Sequence, residues 1–311
     1  MTPSTPSAPG QAATLLCVRQ AQPVGALVDR YITRALLRRA AVHAAQRGHK
    51  MAIFANDLIG IDINQHGVYE RDELALLFAF LQPLAATFAA GVALDVGANI
   101  GNHSLFFARR FAAVHAFEPH PDTFALLRFN TQWDPRIHAR RVGLGSEAGR
   151  FELFEHATNL GGSSLRNASA QGDRKVSIDI ERLDDLALDG RGPDFMKIDV
   201  EGFETEVLKG GLNTIARGQP LIVLEQHLAE FRDGQPEAVR LLAGLGYRFA
   251  WHAAPPLPRT WLGRRWADLR DLWRGQTHRI VTASEVQARH HSMLVAVPPR
   301  FQHALGLPPG A

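Results

Sequence analysis

The chain has 311 residues, 46% of them hydrophobic and 21% charged, which is enough for one large α/β domain with extensions or for two small domains. Thirty-four Lys and Arg against 31 Asp and Glu leave a formal net charge of +3, so charge gives no general argument for a nucleic-acid or membrane partner. The one cysteine, Cys17, excludes an internal disulfide and a C-x-x-C metal motif; the expected setting is the reducing cytoplasm, with a cysteine-poor secreted protein as the alternative.

The N-terminus, "MTPSTPSAPGQAATLL", lacks the basic start and apolar run of a signal peptide and is expected to be a disordered leader over 1–20. Residues 24–47 then space Leu27, Tyr31, Ala35 and Leu36, with Arg38 and Arg39, at helical intervals. The stretch 51–84 reads as a short strand pair followed by a helix from about Glu70, with Asp72 near a helix start where carboxylates are favoured. Residues 21–88 are thus an N-terminal helical and strand extension. The longest apolar run, 79–96, is broken by Gln82, Pro83 and Thr87. A membrane span needs about 20 predominantly apolar residues, and no transmembrane segment is expected.

From Val92 onward strands and helices alternate. "VALDV", "AVHAFE", "HARRVGLG", "DFMKIDV", "PLIVLEQ" and "YRFAWH" read as strands, and most are followed by helical stretches such as "NHSLFFARRF", "PDTFALLRFNTQ" and "FETEVLKGGLNTI". That order implies parallel βαβ units in a doubly wound sheet. "RFELFEH" and "KVSIDIERL" are two further strands flanking a Gly/Ser/Asn-rich loop at 157–173, and "SMLVAVP" is expected as a late edge strand. The main domain is drawn at 89–300, with an insertion at 252–290 before the last strand and a flexible tail at 301–311. In the insertion, Leu262, Trp266, Leu269 and Trp273 fall on one helical face of the Trp/Arg-rich segment 259–275. We read it as a helix packed on its own domain. A substrate lid, a homo-oligomer contact and a membrane-surface contact stay open.

Two constellations carry the chemistry. In the first, the strand "LDV" ends at Asp95 and runs into Gly97-Ala98-Asn99-Ile100-Gly101 at a helix start. Helix starts attract anions, and glycines let a ligand approach the backbone closely. Asn99 stands where the dinucleotide fingerprint G-x-G-x-x-G has its second glycine, which disfavours a pyrophosphate. Asp95 would repel phosphate but suits an ammonium-bearing ligand such as S-adenosylmethionine. Glu118 ends the next strand 23 residues further on, near the offset of about 20 at which an acid takes ribose hydroxyls. The alternative is a tight βα turn with a solvated acid.

In the second, "FMKIDVEGFETEVLKGG" sets Lys197, Asp199 and Glu201 on one side of a central strand's end, with Glu204 following. Asp199 is the acid best placed to meet both cofactor and acceptor and to take a hydroxyl proton. The alternative is a Lys–carboxylate cluster capping the following helix. "VLEQHL" puts Glu225 and His227 on one strand side, and His227 is the second choice of base, unless it is merely structural. His103 and Asp199 show no fixed ligand spacing, so no metal is expected.

At these residues the chain resembles the FkbM family of S-adenosylmethionine-dependent methyltransferases, over roughly Tyr69 to Leu228. "LDVGANIGNHSLFFA", "AFEPHPDTFALLRFN", "GGSSL" and "MKIDVEGFETEVLKG" carry the likeness. The resemblance implies a class I methyltransferase (Rossmann-like) fold: a seven-stranded, mostly parallel, doubly wound sheet with one antiparallel strand near the edge. It implies O-methylation of a hydroxyl on a sugar, glycan or small-molecule natural product. Carried over by position, Asp95, Gly97, Asn99 and Gly101 shape the methionine end, with Asn102 and Pro119 also in the cofactor set. Glu118 holds the ribose, and Asp199 and Glu201 lie near the transferred methyl. Ser146 departs from the family, which commonly has an acid there. Rival readings are a nucleic-acid or protein methyltransferase and a non-catalytic binding module on the same scaffold. No nucleic-acid partner is expected.

Overall fold

A computed structural model describes residues 24–47, 50–55, 57–156, 159–164, 174–188, 190, 192–232, 234–253, 260–261, 265–266 and 279–307. The N-terminal extension is helical: α1 (Val24–Arg47), α2 (Leu58–His66), α3 (Arg71–Phe80) and, after a 3-10 turn at Gln82–Leu84, α4 (Ala85–Ala89). The strand pair expected before Glu70 is therefore corrected to a helix. The Asp57 carboxylate accepts the Ile59 N–H at 3.3 Å, and Gly67 closes α2 in the left-handed region. These caps, with Ile63 buried, override the strand preference of the Ile-rich run.

The sheet domain follows as β1 (Val92–Val96), α5 (Asn102–Phe107), β2 (Ala113–Phe117), α6 (Pro121–Thr131), β3 (Ile137–Arg140), β4 (Gly143–Leu144), β5 (Gly149–His156), β6 (Asn159–Ser164) and β7 (Arg174–Glu181). The chain continues through β8 (Phe195–Ile198), α7 (Glu204–Gly210), α8 (Leu212–Gly218), β9 (Leu221–Gln226), α9 (Glu237–Gly244) and β10 (Arg248–Ala253). It closes with β11 (Arg279–Thr282), β12 (His291–Val297) and α10 (Pro299–Gln302). The main sheet has the order β3-β2-β1-β8-β9-β12-β10-β11. Pairs from β3 to β9 are parallel, and β12 runs antiparallel to both β9 and β10. This is the doubly wound, mostly parallel arrangement that the resemblance implies.

Three details correct the expectation. The sheet has eight strands rather than seven, because β11 from the insertion adds an antiparallel edge to β10. The "SMLVAVP" strand is interior, between β9 and β10, and Leu294 to Val297 are buried. "HARRVGLG" splits, and β4 joins a separate four-stranded sheet of order β4-β7-β5-β6. That sheet takes in residues 159–164 of the expected Gly-rich loop as β6. Expectations for the leader 1–20, the rest of that loop and nearly all of 259–275 lie outside the described residues.

One face of the main sheet packs on a cluster of phenylalanines. Phe107 and Phe195 stand 5.1 Å apart between centroids, Phe88 and Phe111 4.9 Å, and Phe88 meets Phe301 edge-on at 6.1 Å. Phe88 of α4 and Phe301 of α10 thus share a core with β8 and α5. The line drawn at 88/89 runs through this core, and the expected tail begins with Phe301 and Leu307 buried. Among the described residues no single helix is long and apolar enough to cross a membrane.

Candidate active site

Strand order reverses at β1 and β8, and ligands of doubly wound sheets bind at the carboxyl ends of strands at such a point. A cavity of about 1280 Å³, counting its open mouth, lies there. Its floor is the turn after β1. Gly97 and Ala98 both donate their N–H to the Phe117 carbonyl at 3.0 Å, and Gly101 opens α5 at φ +89°. Gly97 has φ +80°, and a Cβ there would stand 1.8 Å from the Asp199 carbonyl oxygen. The close approach of the β1 and β8 ends therefore requires glycine.

Glu118, at the end of β2, faces this floor. One oxygen accepts the Asn99 N–H at 3.0 Å and the other the His120 N–H at 2.9 Å. Each oxygen keeps a further lone pair for a ligand. Burial pushes the carboxyl up to about 7, against the two backbone N–H groups and with the help of Asp95 and Asp199.

On the opposite wall Lys197 Nζ donates to Asp199 at 2.8 Å. Burial works against both charges. The Lys197 ammonium nevertheless holds the Asp199 carboxyl below its usual range, and the Asp199, Asp95 and Glu70 carboxylates hold Lys197 above its own. Glu225, at the end of β9, lines the same wall, and burial together with Asp199, Glu201 and Glu204 pushes its carboxyl up. The loop between β8 and α7 is pinned by Glu204, whose buried carboxylate accepts the Val200 and Gly202 N–H groups at 3.2 and 3.1 Å. Glu201 sits in this loop at φ +51°. The small sheet closes the cavity on the apolar side with Leu153, Ile178 and Ile180.

Of the residues expected from sequence, Gly97, Asn99, Asn102, Glu118, Pro119, Asp199 and Glu201 line the cavity. Three do not. Asp95 is fully buried beneath the turn: one oxygen accepts from the Ser104 hydroxyl at 2.5 Å, and the other has no hydrogen-bond partner among the described residues. Its charge acts on Glu118 and Lys197 without contact to the cavity. Gly101 packs against Leu127 and Thr131 and fixes the start of α5. His227 stands outside the lining, with Nε2 3.6 Å from Glu225. Asn102 faces the cavity, but its amide is committed to Tyr69, accepting that N–H at 2.9 Å and donating to that carbonyl at 3.2 Å. Ser146 donates to Glu206 at 2.6 Å and stays clear of the lining.

Tyr69, Glu70 and His103 are lining residues that the sequence did not single out for this cavity. Glu70 holds φ +55° before α3, and its carboxylate lies 3.2 Å from His103 Nε2. Nothing local in the sequence marks Tyr69 and Glu70, because their place depends on how the N-terminal helices pack. Glu225 carried a usable signal, an acid at a strand end beside the Asp199 strand.

Residues 95–249 match the methyltransferase FkbM domain family. Over 136 residues the chain is 34% identical to the hexuronic acid methyltransferase AglP of Haloferax volcanii, covering 43% of this chain and 54% of that protein. Over 168 residues it is 28% identical to the 2-O-methyltransferase NoeI of Sinorhizobium fredii, covering 46% of this chain and 66% of that protein. The crystal structure of methyltransferase FkbM from Methylobacillus flagellatus aligns with 72% of this chain and 56% of its own, at 18% identity and a TM-score of 0.35. The chain spans just over half the length of the first of these relatives. Through residues 95–249 it belongs to the FkbM methyltransferase family.

Proposed function

We propose that this chain transfers a methyl group from S-adenosylmethionine to a hydroxyl of a sugar, glycan or other small molecule. The observation that carries the reading is the convergence of the Gly97 turn, the Glu118 carboxylate and the Lys197–Asp199 pair on one cavity. Five carboxylates line it, Glu70, Glu118, Asp199, Glu201 and Glu225, against one ammonium, Lys197. That field disfavours a phosphate-bearing cofactor and favours a cationic one.

The residues present fit S-adenosylmethionine. Glu118 keeps acceptor capacity on both oxygens for a vicinal diol. Gly97 lets the ends of β1 and β8 close on each other, which sets the Glu118 and Asp199 sides of the cavity at a fixed spacing. Ile178, Ile180 and Phe203 offer an apolar slot for a flat base. When bound, the cofactor supplies an activated methyl on a positively charged sulfur.

The chain's own part is to position and to hold protons. Asp199, kept ionised by Lys197, accepts a hydrogen bond from the acceptor hydroxyl and aims its oxygen. A carboxylate held this low is a weak base, so most of its contribution is orientation, and proton uptake comes late. Glu201 flanks the same spot. The apolar wall and Tyr69 exclude water from the reacting groups. The printed activities of the two relatives, on a hexuronic acid and at a 2-O position, favour a sugar as acceptor, and the second favours a hydroxyl on it.

The test offers the protein methyl-labelled S-adenosylmethionine together with an extract of cells that lack it. The expected product is a small molecule or glycan whose label survives mild base, as an ether does. Label lost in mild base means an ester and overturns the hydroxyl assignment. Label in nucleic acid or protein supports the rival methyltransferase readings instead.

A further inference from the structure

We propose that Glu225, His227 and His290 form a binding site for one divalent transition-series cation at the rim of the cavity. Glu225 and His227 leave the end of β9 two residues apart and on the same side. His290 immediately precedes β12, and the antiparallel pair His291–Gln226 brings it across from His227. His227 Nε2 lies 3.6 Å from one Glu225 oxygen and His290 Nε2 lies 3.6 Å from the other. The two imidazole centroids are 5.4 Å apart, and one ligand atom from each residue falls within 4.8 Å of the other two.

These contacts are too long for charge-assisted hydrogen bonds, which run about 2.7–2.9 Å. They are close to the spacing of two ligands on one ion, since bonds of about 2.0–2.2 Å put tetrahedral neighbours about 3.4 Å apart. Two imidazoles and a carboxylate select zinc, cobalt, iron, nickel or copper over magnesium and calcium, which prefer all-oxygen sets.

The backbone is held on both sides of the cluster. The His227 N–H donates to Glu230 at 3.3 Å. Before His290, the Val286 carbonyl accepts from Gln235 at 2.9 Å, and the Gln287 carbonyl lies 2.9 Å from His291 Nε2. The ligands therefore start near their bound geometry, which lowers the ordering cost. Glu225 also groups with Asp199 and Glu201, with one oxygen of each within 4.8 Å of the others. A cation on Glu225 would relieve the repulsion among these three groups.

What the cation would do rests on the methyl-transfer reading. Bound at Glu225, it reaches the hydroxyl of an acceptor in the cavity and makes that hydroxyl more acidic. A base as weak as Asp199 then suffices.

The experiment uses the full chain, free of any affinity tag and stripped with a chelator, titrated with Co²⁺ and followed by visible absorption. One equivalent of Co²⁺ is expected to bind with ligand-field bands and to be displaced by Zn²⁺. His290→Ala, at a half-exposed residue with little risk to folding, and His227→Ala are each expected to weaken binding at least about tenfold. Failure of the unaltered chain to take up Co²⁺, or undiminished affinity in His290→Ala, overturns the site. S-adenosylmethionine binding is measured on the same stripped protein. If it persists without cation uptake, only the cation site falls; if cation uptake persists without it, only the methyl-transfer reading falls.

Discussion

At the scale of single residues the site is governed by carboxylates in a dry cavity. Glu118 is 8% exposed and titrates near 7, against 4.5 for an ordinary glutamate. The native state therefore binds this proton more tightly than the unfolded chain. The stability it contributes is fully present below pH 4.5 and is lost as pH rises through about 7. The loss is about 3 kcal/mol from a shift of this size. Urea unfolding between pH 4.5 and 8 should show it, with a flatter profile in Glu118→Gln. A ribose diol favours the ionised form, so cofactor affinity should fall as pH drops below 7, by up to about tenfold per unit. The charges facing Glu118 are Asp95 and Asp199, and both act in the direction of its upward shift. Asp199→Asn should lower kcat about a hundredfold while the cofactor Kd changes little. An equal loss in both would make Asp199 a cofactor ligand only. Part of the pattern was legible beforehand: Glu118 and Asp199 stand at strand ends, where sequence alone puts them. Asp95 was read as a contact because nothing in its own sequence shows that the Ser104 hydroxyl takes it from below.

At the scale of elements, the turn after β1 and the end of β8 are built as one unit. Gly97→Ala forces a side chain into the Asp199 carbonyl and strains a left-handed residue. It should cost at least about 2 kcal/mol of stability and abolish cofactor binding; near-native binding in this variant would contradict the geometry. Parallel strands were readable because buried apolar runs alternate with helices of regular length. α2 was not, since its Ile-rich run has the composition of a strand and only its caps and packing decide for helix. β12 was misjudged as an edge because strand order is a property of the whole sheet and leaves no mark on "SMLVAVP". The fate of "HARRVGLG" is similar: Gly143 and Leu144 turn away to pair with β7 only once β7 is present.

At the scale of the whole molecule, the N-terminal helices, the sheet and the C-terminal turn share one apolar core. Leu74, Leu77 and Phe88 are buried on it, and Asn130 holds both the N–H and the carbonyl of Ala52. α1, by contrast, exposes Leu27, Tyr31, Ile32 and Leu37. A chain beginning at Lys50 should therefore keep a cooperative thermal transition, whereas one beginning at Ala89 should lose it. Equal melting of the two would show the extension to be a separate unit. The family match, over 95–249, did not reveal this dependence. The central claim is that the cavity is built for S-adenosylmethionine, and isothermal titration of the purified chain with that cofactor tests it most directly. The account predicts one saturable site, weakened at least about tenfold by Glu118→Ala, a charged hydrogen bond being worth about 1.5–3 kcal/mol. No saturable heat from the unaltered chain, or the same affinity in Glu118→Ala, would contradict it.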